Sequence, residues 1–345
     1  MTNVTTLMTG AAIFALIGVL STSSQAATTC TFTVLGSTWS LDADCVTDAT
    51  IVVPDGVMLD GNGNTLTAED PPGDHFRGAV VANGGATAHV THLNITTSGL
   101  ANVCDAGTDR LRGILFDGAS GSITHNHVEN INQGASGCQE GNAIEARNAP
   151  FDGTHPDTKT VEIAHNVVED WQKGGIICNG DVECDIHHNN VGESATQHDL
   201  AANSVQLGFG AAGTVEHNRI DGNQWLGPTD FVATAVLIYQ ADLPVVRRNN
   251  IGGNADVGIY ILESPESTVN NNRVFERGQD GNVNGYDFGM IEYASPGSSI
   301  TNNKVRGYDV PTDSDSGNIT GTKVIPSPHD PGAACLLPNS SAQAC

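Results

Sequence analysis

Mixed charge gathers in two stretches of an otherwise acidic chain, "CDAGTDRLRGILFDG" (residues 104–118) and "NQGASGCQEGNAIEARN" (residues 132–148). They carry Asp105, Asp109, Arg110, Arg112, Asp117, Gln139, Glu140, Glu145 and Arg147. Carboxylates set among arginines offer an acid, a base and a guanidinium that can neutralise a substrate carboxylate, which is what general acid–base chemistry needs. Arg112, Asp117, Glu140, Glu145 and Arg147 are therefore the candidate catalytic residues. The same composition also suits a salt-bridged loop pair with no ligand. Glu263 and Glu292 are further outlying acidic candidates.

A second pattern is a file of histidines. His92, His125, His165, His188 and His217 each precede the same position of a repeat, and Arg248, Asn271 and Asn302 follow in that place. Imidazoles presented this way can bind a transition metal, with His125, His165, His188 and His217 as the candidate ligands. The competing reading is conformational, because His and Asn are enriched where the backbone needs a positive φ. A straight column also suits tetrahedral coordination poorly. Stacked imidazoles should hold one another's pKa down.

A third set is aromatic. "EDWQKGG" (169–175) and "NQWLGPTDF" (223–231) supply Trp171, Lys173 and Trp225, to which Tyr239, Tyr260 and Tyr293 add. Together they could form a sugar-stacking lane with Lys173 beside it. The alternative is that the tryptophans cover loop hydrophobics.

What must position these residues is a repeat. Asn126, Asn166, Asn189, Asn218, Asn249, Asn272 and Asn303 align, with an aliphatic residue three positions before each and another two positions after. An eighth copy, "VTHLNI", has Leu93 in place of the amide. A fixed minimum spacing with variable excess marks a solenoid whose coils are constant and whose loops are not. Short β-rich runs such as "GILFD", "GIICN" and "AVLIY" precede each copy, so each coil holds three strands. Inward amides at one corner can bond to the coils above and below, about 4.8 Å away.

This pattern resembles the right-handed parallel β-helix of the pectate-lyase-like superfamily, with its internal Asn ladder. "GVMLDGNGNTL" (56–66) is similar to the opening coil of many such secreted proteins. The expected fold is all-β: a single-stranded right-handed parallel β-helix over residues 50–308, an N-terminal cap over 27–49 and a C-terminal cap or tail over 309–345. The resemblance implies an extended polysaccharide lying along the outer face of the first strand. It does not supply an activity, because the paired-Asp "NTD…DD" and "RxPxxR" motifs of its polygalacturonases and pectate lyases are missing.

Residues 1–26 are uncharged, and the apolar run "AAIFALIGVL" leads to "SSQA", which reads as a secretory signal peptide. The run is too short to span a bilayer. All eight Cys follow it, so disulfides are expected. Spacing does not fix connectivity; neighbour pairing gives Cys30–Cys45, Cys104–Cys138, Cys178–Cys184 and Cys335–Cys345. The net charge is −25, with 14 Lys plus Arg against 39 Asp plus Glu. Such a field repels nucleic acid, anionic lipid and polyanionic glycans and attracts cations. No P-loop, GxSxG elbow, HExxH or EF-hand loop is present.

Three functions stay open: a secreted monomeric lyase, hydrolase or epimerase acting on a polysaccharide or cell-surface glycan; a non-catalytic glycan-binding solenoid; and a metal-handling secreted protein using the His file. No cofactor is read directly. Ca²⁺ is the candidate, since β-elimination needs a neutralised uronate and Lys is scarce.

Overall fold

The computed structural model describes residues 28–154, 157–194, 200–227, 231–276 and 286–325. The signal-peptide segment and the Cys335–Cys345 pair lie outside the described residues. Three sheets of ten, twelve and eleven strands run the length of the described chain, each coil giving one strand to each sheet. The first sheet runs from Ile51–Val53 to Val310–Ser314, and the third from Cys45–Thr47 to Lys323–Ile325. The second opens with the antiparallel hairpin of Phe32–Leu35 and Thr38–Leu41 and is parallel from there to Ile319–Thr320. Parallel pairing therefore runs past the expected limits at both ends, starting at Thr38 and continuing beyond Tyr308. The single helical element among the described residues is a short 3-10 turn, Gly107–Asp109.

The repeat's aliphatic residues build the core. Ile123, Ile163, Ile186, Val215, Val246, Val269 and Ile300 stack in the second sheet and are 0% exposed. Val128, Val168, Val191, Ile220, Ile251, Val274 and Val305 stack in the third at 0–1%. In the first sheet Ile114, Ile144, Ile176, Val205, Val236 and Ile259 form the third inward column. Burying an aliphatic side chain of this size stabilises by roughly 1.5–3 kcal/mol, so each coil adds an increment that its neighbours complete.

The amide ladder is continuous. From Asn126 to Asn272, each backbone N–H and each Nδ2 donates to the next Asn Oδ1 at 2.8–3.1 Å. Each Nδ2 also donates to a carbonyl of the preceding coil, as Asn189 does to Ile163 at 2.8 Å. All seven amides are 1–2% exposed, and buried polar groups persist when satisfied in this way. Leu93 ends the ladder, its N–H donating to Asn126 Oδ1 at 3.1 Å.

The residue before each ladder Asn turns the corner. His92, His125, His165, His188 and His217 have φ between 50° and 59°, and Arg248, Asn271 and Asn302 between 55° and 58°. The conformational reading of the His file is thus sound. The rings stack at 4.8–5.3 Å, following the coil spacing. Among the described residues three disulfides close: Cys30–Cys45, Cys104–Cys138 and Cys178–Cys184.

Candidate functional site: a cationic groove on the first sheet

Side chains alternate along the first sheet, so every second position faces outward. Two outward columns run across the coils: Leu115, Glu145, Ile177, Gln206, Leu237 and Tyr260 in one, and Asp117, Arg147, Asn179, Gly208, Tyr239 and Leu262 in the other. Except for Leu115, Asp117 and Gly208, these positions line, with flanking loops, a groove of about 840 Å³. Its early-coil end carries Arg110, Arg112, Arg147, Lys173 and Glu145. Its late-coil end carries Phe209, Phe231, Tyr239 and Tyr260, while Phe151 comes from the loop after Asn142–Asn148, on the coil of Glu145 and Arg147. Of the candidate residues, the fold thus brings Arg112, Glu145, Arg147, Lys173, Tyr239 and Tyr260 together.

Arg112 and Glu145 form a buried pair, 2% and 4% exposed, through Arg112 Nε and Glu145 Oε2. Arg112 Nη1 donates to the Arg110 carbonyl at 2.7 Å and Nη2 to that of Gly107 at 3.2 Å. Asn142 Nδ2 adds a bond of 2.9 Å to Glu145 Oε2, leaving Oε1 with Arg147 Nη1 at 3.9 Å. A buried pair needs this density of hydrogen bonds to offset desolvation. Arg147 Nη2 donates to Asp117 Oδ2 at 2.7 Å. The Nε atoms of Arg110 and Arg147 are buried without a hydrogen-bond partner among the described residues. Lys173 donates to the Ala201 carbonyl at 2.5 Å, and burial, reinforced by Arg110, pulls its ammonium down to about 8. Burial pushes the Tyr260 phenol up, with Tyr286 and Glu263 adding to it.

The other candidates sit elsewhere. Glu140 is 1% exposed, and its carboxylate accepts the backbone N–H groups of Asp105 and of Leu111 (2.9 Å for the latter), so it clamps the loop rather than facing a ligand. Asp117 is exposed beside Arg147 but outside the groove lining. Trp171 is 0% exposed inside the solenoid, its indole N–H donating to the Gly192 carbonyl at 3.2 Å. Trp225 is 7% exposed against Leu200 and Ala233. Neither tryptophan can stack a sugar; both serve packing. Tyr293 lies edge-on to Tyr260 at 6.3 Å, beyond the groove, and donates to Asp313, which pushes its phenol up to about 12. Glu292 points inward at 0% exposure, held by Ser314, Ser316 (2.7 Å) and Asn318. Glu263 is exposed at a corner and accepts from Gln240 at 2.7 Å.

Of the aromatic end, the sequence pointed to Tyr239 and Tyr260 but not to the phenylalanines. Phe209 and Phe231 are 37% and 68% exposed, and Phe209 meets Tyr239 edge-on at 5.2 Å. Phe209 also holds φ at 57°, a region that costs a bulky side chain energy. Strain kept beside an exposed ring is a pointer to function.

Comparison with known proteins adds the following. The solved structure of the Dettilon tailspike protein is similar at 12% identity and a TM-score of 0.41, covering 81% of this chain. The chain spans 60% of that tailspike's length. A mutant of the periplasmic alginate epimerase AlgG is similar at 10% identity and a TM-score of 0.39, with 86% of this chain and 78% of that one covered. Likenesses at this level carry no argument about activity. No curated protein sequence matches the chain. The family model described as a right handed beta helix region matches residues 112–322. With its three stacked parallel sheets and its amide ladder, the chain belongs to the right-handed β-helix family.

Proposed function

We propose that the protein is a secreted polysaccharide-acting β-helix that takes an extended uronate-containing glycan in the first-sheet groove and removes a proton beside the uronate carboxylate, as a lyase or epimerase. One observation carries the reading: Arg110, Arg112, Arg147 and Lys173, four of only 14 cationic residues, line one groove in a chain of net charge −25. The overall charge argues against polyanions, but at physiological salt it is screened beyond about 8–10 Å, so the groove's own cations decide what binds there. They also take the neutralising role otherwise assigned to Ca²⁺.

The cationic points are spread out. Lys173 lies level with Gly141, six residues along the strands from Arg147, so their backbones are roughly 20 Å apart. Such a span fits a chain with repeated carboxylates better than a single small anion. The aromatic end supplies the apolar faces on which sugar rings rest. Glu145 is the one carboxylate among the described lining residues, whereas glycoside hydrolysis uses a pair. Proton abstraction needs one base and one cation. Neutral Lys173, with a pKa of about 8, takes the C5 proton while Arg110 holds the carboxylate. The C–H electron pair then forms the C4=C5 bond as the C4 oxygen leaves with the proton that Lys173 has taken, or water delivers a proton to the opposite face of C5 and inverts it while Lys173 returns its proton to solvent. Three disulfides agree with an oxidising, extracellular or periplasmic setting.

The test is a panel of alginate, polygalacturonate and neutral glucan, read by ultraviolet absorbance for unsaturated ends and by NMR for C5 inversion. Turnover confined to the uronates, lost in Lys173→Gln and with KM raised in Arg147→Gln, is the expected result. Full activity in Lys173→Gln would overturn the chemistry, and equal affinity for neutral glucan would overturn the substrate class. A purely binding groove is the second reading, favoured by the full commitment of Arg112 to Glu145 and backbone carbonyls. It predicts uronate affinity without product.

A further inference from the structure

The His file contains one doublet. Most copies place Thr or Ala before the corner histidine (Thr91, Thr124, Ala164), and one places Glu216, but the fourth places His187 before His188. Consecutive residues in a strand point to opposite faces. Here His188 has φ 55°, and this left-handed residue lets His187 and His188 both face outward before Asn189 turns in. Their Nδ1 atoms stand 3.0 Å apart with the rings at 90°. His165, in the preceding coil, stacks on His188 at 5.1 Å and meets His187 edge-on at 5.8 Å. One nitrogen from each of the three rings falls within a span of 4.8 Å.

We propose that His165, His187 and His188 bind one divalent transition-metal ion of the imidazole-favouring class, Zn²⁺, Cu²⁺ or Ni²⁺. Two nitrogens at about 2.05 Å from Zn²⁺ and tetrahedrally disposed lie about 3.3 Å apart, close to the doublet's separation. The second shell is present as well. His187 Nε2 faces Glu162 Oε1 at 3.4 Å and Asp185 Oδ2 at 3.8 Å. A carboxylate on the far nitrogen places the ring proton there and leaves Nδ1 bare for a metal, an arrangement typical of metal-bound histidine. Ala164 pairs with His187 in the coil below, so no bulky side chain fills the space under the doublet. On the other side Glu216 is engaged by Arg247 at 2.5 Å. The site lies at the corner of the second sheet and is independent of the groove proposal.

The chain, purified without a polyhistidine tag, is titrated with Zn²⁺, Ni²⁺ and Ca²⁺ by calorimetry, and with Co²⁺ for its visible d–d bands. One equivalent of Zn²⁺ and Ni²⁺, no Ca²⁺ at this site, and a Co²⁺ spectrum of nitrogen coordination are expected. His165→Asn, His187→Asn and His188→Asn should each weaken Zn²⁺ by more than tenfold, and Glu162→Gln by about tenfold. Asn already occupies this corner at Asn271 and Asn302, so His165→Asn and His188→Asn keep a compatible backbone. His92→Asn, at the far end of the file, should leave affinity unchanged. Absence of Zn²⁺ binding, or equal affinity in the His187→Asn and parent chains, would overturn the site.

Discussion

Replacing Asn189 by Leu interrupts the ladder at its middle, and the cost can be worked from the bonds it removes. Asn189 Oδ1 accepts the backbone N–H of Asn166 at 2.9 Å and its Nδ2 at 3.0 Å. Asn189 Nδ2 donates to the Ile163 carbonyl at 2.8 Å and to Asn218 Oδ1 at 3.0 Å. In Asn189→Leu, Asn166 Nδ2 keeps its bond to the Ile123 carbonyl, and Asn218 Oδ1 keeps the backbone N–H of residue 189. The backbone N–H of Asn166, 1% exposed, keeps nothing. One orphaned buried donor costs about 1–3 kcal/mol, and the lost bond to Ile163 adds about 1. A total of about 2–4 kcal/mol lowers Tm by roughly 3–7 °C in a domain of this size. Leu93 shows why position matters. Leu is tolerated there because, in the coil below, the N–H that follows the corner Gly61 is that of Asn62, which donates to Asp60 Oδ1 at 2.9 Å, and the Gly63 N–H donates to the His92 carbonyl at 2.8 Å, so neither asks for a side-chain acceptor from the next coil. Circular-dichroism melts measure the shift, and hydrogen exchange should show the Asn166 amide losing protection while that of Asn272 does not. A variant melting within about 1 °C of the parent would refute the ladder's energetic role.

Three further outcomes are expected. Cys104→Ser with Cys138→Ser opens a loop of 34 residues and should cost about 3–4 kcal/mol by loop-closure entropy, measured by denaturant unfolding against the intact chain. Trp171→Ala should cost about 3–5 kcal/mol with glycan affinity retained, whereas Tyr239→Ala should weaken glycan affinity and leave Tm nearly unchanged; melts and binding on both variants separate the packing residue from the groove residue. In the presence of chelator, stability should decline as pH falls below about 6.5. The folded His165 pKa is lowered from 6.5, so the folded chain binds fewer protons than the unfolded chain there. His165→Asn should flatten that slope, and an unchanged slope would remove His165 from the titration.

The ladder was legible because its constraint is written along the chain: an inward amide at one corner must recur at each coil, with aliphatic residues at fixed offsets. The corner histidines were legible for the same reason, since positive φ recurs with the coil. The tryptophans show what periodicity alone did not settle. Trp171 looked like a loop residue, yet it stands five positions after Asn166, as Ile131 stands after Asn126 and Tyr308 after Asn303, and all three are buried. That shared offset marks the inward corner between the third sheet and the next first-sheet strand, so the signal was present. The groove had no such signal. Its outward columns are free of the packing constraint that imposes a repeat, and Arg110, Lys173 and Phe231 come from loops whose lengths differ between coils. A solenoid's function is therefore carried by the positions its own periodicity leaves unspecified. Departures from the repeat, such as cations clustered in an acidic chain, a Phe at positive φ or a second His beside a corner His, are the features from which that function is to be read.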